Sequence, residues 1–270
     1  MNLPHLIGLL QLAPVQRAAL AIAITGAIFP IAGVWIMGLN IVPVRFAMMH
    51  VALLGIAVGL LLHIDPTITG VILCGLVGAS LTPLARRPAG LAGPMGLIMT
   101  LAIGLALLIL SISGVNANGA FELLWGAILA TRVVDVAGLT VVAVTIGGVY
   151  WWKRKDLALL LYDREIALCS GIHVDQLTFL LMVLIAVAIG SSIRLTGALL
   201  VDAITILPAI AARNLGRSLG EMVAWAMALG FFGNLLGFGL TLVFNQPPGP
   251  MLVITMGLIT LTTYFIRRNG

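Results

Sequence analysis

Nine apolar runs, at residues 17–38, 45–63, 67–84, 94–113, 136–152, 177–193, 196–212, 220–244 and 250–266, take up most of this 270-residue chain. Each is near the roughly 20 residues that a helix needs to cross a bilayer. Short polar or Pro/Gly-marked breaks separate them, and none alternates polar with apolar as a membrane-barrel strand does. Hydrophobic residues make up 61% of the chain and charged residues 9%, more apolar surface than a water-soluble domain of this size can bury. The expected fold is all-α: a polytopic transmembrane helical bundle of about 8–9 spans, forming one domain over residues 1–270.

The basic residues give the bundle a direction. With the Lys153-Arg154-Lys155 cluster on the cytoplasmic side, alternating spans also place Arg45, Arg86, Arg87, Arg164, Arg213, Arg217, Arg267 and Arg268 there. Only Arg17, Arg132 and Arg194 then fall outside, and eleven against three predicts a cytoplasmic C-terminus. The net charge of +5 is spread over short loops and does not gather on one soluble face, which speaks for topology and against nucleic acid as a partner. Residues 1–16 have Pro4 and Pro14 and no basic region before Arg17, so they are expected to stay on the protein as an interfacial or partial helix. Gly114 to Ala130 is too short and broken to span, and its amphipathic Phe121–Trp125 predicts a short outer-surface helix or re-entrant piece. Cys74 lies in an apolar run and Cys169 in a polar connector, so both are expected as free thiols. Gly55-x-x-x-Gly59 and Gly233-x-x-x-Gly237 let backbones approach closely, either within the bundle or at a seam between two copies.

Phosphate-binding chemistry is missing. The only lysines, Lys153 and Lys155, do not follow a glycine-rich loop, so the chain is not expected to hydrolyse ATP by itself. Zinc-structural His/Cys spacing and a Gly-x-Ser-x-Gly elbow are also missing from the sequence. An enzyme and a tightly bound cofactor are both unexpected.

From Arg154 to Arg217 the chain carries Tyr162-Asp163-Arg164-Glu165-x-Ala167, then Gly197-Ala198-Leu199-Leu200-Val201-Asp202-Ala203, then Leu207-Pro208-Ala209-Ile210-Ala211-Ala212. Upstream lie Gly33-Val34-Trp35, His50-Val51-Ala52-Leu53-Leu54-Gly55 and Leu124-Trp125-Gly126; Pro247-Pro248-Gly249-Pro250 opens the last run. In order and spacing this set resembles the permease subunits of the ABC importers for zinc, manganese and iron, whose regions read about F-D-x-E-x-A, G-x-L-L-V-x-A and L-P-A-A-x-A. The resemblance covers nearly the whole chain. It implies the importer-permease type of bundle in a bacterial cytoplasmic membrane and a homodimer with a second permease copy. It also implies a cytoplasmic ABC ATPase subunit that binds ATP and an extracytoplasmic metal-binding protein. A segment that docks on the ATPase is expected at 212–219, with Arg213, Asn214, Leu215, Gly216 and Arg217 as the coupling residues, and residues 153–176 are expected as a cytoplasmic connector. A plain positive loop is the alternative for the coupling residues.

Ionisable groups inside spans are costly unless paired or hydrated, which makes His50 and Asp202 pathway candidates. The resembling permeases carry an Asp one turn before the second-run His, a carboxylate and imidazole on one helix face. Here that position is Phe46, and the glycine before it is Arg45. The expected metal contacts are therefore His50, Met49 or its neighbour Met48 as a soft donor, and Asp202. Counting residues from the outer end of each run places His50 and Asp202 about 10 Å apart along the membrane normal, as successive contacts. His50 could instead hydrogen-bond a neighbouring helix, the methionines could simply pack, and Asp202 could pair with Arg194. His63 and Asp65 could form a hydrated cap or a first metal contact. Asp163, Arg164 and Glu165 read as a solvated ion-pair cluster, and His173 and Asp175 as a helix start.

The function expected from this set is ATP-driven import of zinc, manganese or iron. The missing carboxylate keeps open a metal chelate or softer metal species as cargo. A secondary transporter or channel working without ATP is the alternative from another class, and it would more often show coupling carboxylates or broken half-helices in matching halves.

Overall fold

The computed structural model describes residues 8, 11–85, 92–114 and 128–269. Ten α-helices occur among them: α1 Ala13–Gly38, α2 Val42–Leu61, α3 Pro66–Ser80, α4 Thr82–Ala85, α5 Ala92–Ile112, α6 Val133–Tyr162, α7 Arg164–Cys169, α8 Val174–Leu215, α9 Leu219–Phe244 and α10 Pro248–Asn269. A 3-10 turn at Ile128–Ala130 precedes α6, and no strand occurs among the described residues. Among the described residues seven stretches are long and apolar enough to cross a membrane: α1, α2, α5, α6, Val174–Ile193 of α8, α9 and α10. The protein is a multi-pass helical membrane protein. Ile68, Ile72 and Leu76 form an outward stripe on α3, each more than half exposed, a surface suited to an apolar surrounding.

Several runs take a different form from the sequence reading. The run at 67–84 becomes the 15-residue α3 and the four-residue α4. At 1.5 Å per residue α3 is about 22 Å long, short of the roughly 30 Å hydrocarbon layer. Pro83 cannot donate to the helical ladder, and the helix is interrupted just before it, at Leu81. The runs at 177–193 and 196–212 join in α8, interrupted at Gly197 with φ 70° and ψ 167°. That conformation is essentially reserved for glycine. The connector expected at 153–176 is largely helical. After Lys153, which leaves helical geometry at φ −103° and ψ 15°, α6 continues to Tyr162 and α7 follows. Leu157 and Leu160 are buried, which gives that extension an apolar face to pack. Most of the 1–16 segment, Phe121–Trp125, Arg86 and Arg87 lie outside the described residues.

The chain divides into two units. One comprises Met1–Val34, Trp125–Val144 and Leu195–Gly270. In it, Gly26 of α1 faces Gly230 of α9, and a Cβ on Gly26 would stand 2.7 Å from the Gly230 carbonyl oxygen. On α9, a Cβ on Gly237 would stand 3.0 Å from the Leu252 Cα, so α9 and α10 also meet at a small residue. Asn214 Nδ2 donates to Thr263 Oγ1 at 3.2 Å and ties the end of α8 to α10.

The other unit comprises Trp35–Leu124 and Thr145–Arg194. Here α2 packs against α3 and α5. Leu53, Ala57, Ala106 and Leu110 form a buried cluster between α2 and α5. A Cβ on Gly55 would stand 2.6 Å from the Gly70 Cα, and one on Gly59 2.8 Å from the Pro66 Cα. Both small-residue motifs are thus used for packing inside their own units.

Candidate functional site

The second apolar run folds as α2 because Pro43 sits at its start, where its missing N–H costs no helical bond, and apolar residues continue to Leu61. On this helix the imidazole of His50 is half-buried. Its Nδ1 lies 2.7 Å from the Phe46 carbonyl oxygen, one turn back. A carbonyl only accepts, so Nδ1 is the donor in this contact, and in a neutral ring Nε2 would be the nitrogen with the lone pair. This hydrogen-bond partner of His50 is on its own helix. Met48 is fully buried and Met49 is only 8% exposed, so both thioethers sit mainly in the packing of the unit.

Arg45 and Phe46 give this stretch its character. Arg45 is buried, and its guanidinium carbon stands 4.1 Å from the centre of the Phe46 ring. A cation over an aromatic face gains a modest electrostatic attraction, larger when water is excluded. A carboxylate at position 46 would have attracted a metal cation; an arginine beside an aromatic ring adds positive charge one to two turns from His50 instead.

Asp202 lies on α8 in the other unit and is half-buried, five residues past the Gly197 interruption. It engages its surroundings, while the Arg194 side chain falls outside the described part of the structure. No group of three or more His, Cys, Asp or Glu side chains capable of holding a metal occurs among the described residues. Asp65, one of the outer-end candidates, caps α3: its carboxylate accepts from the Thr67 N–H at 2.9 Å, while His63 is exposed with φ 56°.

The segment expected to couple to an ATPase is built by two helix ends. Gly216 N donates to the Ala212 carbonyl at 2.8 Å, closing α8. Ser218 caps α9, its hydroxyl accepting from Glu221 N at 3.2 Å, while the Glu221 carboxylate accepts from Arg217 N at 2.9 Å. This is close to a capping box, which satisfies the open N–H groups at a helix start. Gly216 approaches α9 so closely that a Cβ there would stand 2.7 Å from Met222 N. Arg213 and Arg217 are exposed, and Asn214 and Leu215 half-buried. The result is a rigid corner with two exposed guanidinium groups.

Two of the groups expected as a solvated cluster, Asp163 and Arg164, have defined partners at the surface. Asp163 caps α7 by accepting from Glu165 N and Ile166 N at 2.7 and 3.0 Å. Arg164 Nη2 pairs with Asp175 Oδ1 at 2.9 Å, across eleven residues, and fastens α7 to the start of α8. From the sequence these groups belong to two separate features; the turn at Gly171, with φ 79°, brings them together.

A family model described as the ABC 3 transport family matches residues 11–267. The chain belongs to that family. This ABC 3 member is 26% identical over 223 residues to the high-affinity zinc uptake system membrane protein ZnuB of Haemophilus influenzae, covering 82% of this chain and 85% of the relative. It is 27% identical over 255 residues to the manganese import system permease protein ScaB of Streptococcus gordonii, covering 93% and 90%. Its fold matches a chain of PsaBC from Streptococcus pneumoniae, solved in complex with Fab, with a TM-score of 0.85, 23% identity and coverage of 98% and 96%. The importer-permease bundle that the motifs implied is the fold of this ABC 3 member.

Proposed function

We propose that this chain is the membrane-spanning subunit of an ABC importer that moves a transition-metal cation, zinc, manganese or iron, into a bacterial cytoplasm. The feature that supports the reading is His50, at the position of the histidine in the resembling permeases, with Nδ1 2.7 Å from the Phe46 carbonyl oxygen, which leaves Nε2 of a neutral ring for a metal. Zinc and manganese are the cargoes in the names of the two relatives. Met49 and Asp202 serve as further contacts along the path. Two copies of the chain form the pathway, with the C-terminus cytoplasmic, a metal-binding protein docking outside and the ATPase inside. Energy comes from that ATPase, because this sequence has no phosphate-binding loop. The corner Arg213–Arg217 is the docking point: it is capped at both ends and exposes two cations toward a partner.

A second reading keeps the machine and changes the cargo. Arg45 and Phe46 replace the family's glycine and aspartate, and a buried guanidinium near His50 disfavours a bare divalent cation. An anionic or neutral metal chelate would be tolerated there.

ATP-driven uptake into proteoliposomes holding this chain, its ATPase and its binding protein separates the two. Uptake of a free divalent ion, reduced in His50→Ala, supports the first reading. Uptake of a chelate alone supports the second, and uptake without nucleotide rejects both.

A further inference from the structure

The unit that contains α2 also holds a cavity of about 400 Å³ whose lining includes none of His50, Met49 and Asp202. Lys153, Asp156, Ser170, His173, Gln176 and Leu180 line it. It lies where α6 leaves helical geometry at Lys153, beside the turn at Gly171, and the Arg164–Asp175 pair holds the start of α8 in place.

The position of this cavity relative to a bilayer follows from α6. Its twenty residues from Val133 to Trp152 span about 30 Å, the thickness of the hydrocarbon layer. Trp151 and Trp152 are 61% and 80% exposed, at the level where aromatic belts form. Lys153 follows at once, with Arg154 and Lys155 exposed beside it. The cavity therefore sits at the membrane–water boundary.

Its chemistry favours an anion. Lys153 Nζ donates to Asp156 Oδ2 at 3.1 Å, and an ammonium has two further N–H groups to give. The same ammonium is 5.1 Å from the Trp152 ring centre, which holds it at the boundary. His173 and Gln176 add an imidazole and an amide donor to the lining. The Ser170 hydroxyl is already used, donating to the Ile166 carbonyl at 2.8 Å. With Lys153 opposing it, Asp156 is poorly placed to attract a cation, and residues 153–156 carry three positive charges against one negative. Leu177 and Leu180 make part of the lining apolar. A phosphate attached to hydrocarbon fits this combination better than a free ion.

We propose that this cavity binds the headgroup of an anionic phospholipid, with the phosphate on Lys153, His173 and Gln176 and the first methylenes against Leu177 and Leu180. Basic pockets between membrane helices at the headgroup level are suited to such lipids.

Native mass spectrometry of the full-length chain, equilibrated in detergent with phosphatidylglycerol, phosphatidylcholine or glycerol phosphate, tests this. Phosphatidylglycerol adducts should exceed phosphatidylcholine adducts at least fivefold. Lys153→Gln should lower that ratio below twofold, while Arg267→Gln, which removes one charge elsewhere, should keep it. If Lys153→Gln does not fold, His173→Leu with the same readout decides. Equal binding of the two lipids, or a ratio unchanged in the cavity variants, overturns the proposal. Glycerol phosphate binding as well as phosphatidylglycerol would assign the cavity to a soluble anion and overturn the lipid assignment.

Discussion

His50 Nδ1 and the Phe46 carbonyl oxygen are 2.7 Å apart on α2, so one residue supplies the backbone acceptor for the ring of the other. The same Phe46 carries the ring beneath the Arg45 guanidinium. Removing the imidazole in His50→Ala should lower uptake at limiting metal at least tenfold, with membrane insertion and melting temperature close to wild type. Proteoliposome uptake beside a thermal melt checks this, and full uptake would exclude His50 as a contact.

Phe46→Asp with Arg45→Gly restores a carboxylate one turn from His50 and removes the buried cation. If the protein carries a free divalent ion, this double variant should raise its apparent affinity roughly tenfold, about 1.4 kcal/mol. If the cargo is a chelate, the double variant should lose uptake. Concentration dependence of uptake for both cargoes distinguishes the two.

Leu215→Asp places a carboxylate in the corner between α8 and α9 without touching the helix caps at Ser218 and Glu221. Copurification of the ATPase should fall several-fold, and ATP-driven uptake with it, while the permease still inserts. Unchanged copurification would remove Arg213–Arg217 from the coupling role.

Gly26→Val should be strongly destabilising, because its side chain would run into the Gly230 backbone, which cannot rotate away. Overpacking of this kind costs about 1–3 kcal/mol or more, and the detergent melting temperature should drop by several degrees. Gly239→Ala on the same α9 meets nothing within 4 Å and should leave the melt unchanged.

Gly197→Ala tests the interruption of α8. At φ 70° and ψ 167° an alanine is strained by about 1–3 kcal/mol, so the variant should melt lower or straighten the helix. A melt equal to wild type would mean that the chain reaches this conformation at no cost.

The helical character of this chain, its many crossings and its family were decided by the sequence alone. A run of about twenty apolar residues has no stable state in water, and in lipid its backbone must satisfy its own hydrogen bonds. The ordered motifs from Gly33 to Pro250 then selected one kind of bundle, and His50 stood out as a costly ionisable group in an apolar run.

Tertiary structure decided the rest, because these features depend on residues distant in the chain. The sequence left Gly55 and Gly59 open between internal packing and a seam of two copies; the approach of Gly70 and Pro66 accounts for them within one unit. Arg164 and Asp175 pair only because the chain turns at Gly171. The acceptor beside His50 Nδ1 is a carbonyl that no residue letter specifies, and the cavity at Lys153 is lined by residues of α6 together with others from Ser170 to Leu180. Patterns of polarity say which solvent a segment needs; which neighbour it meets is settled by close packing, where a single methyl group decides whether two helices can touch.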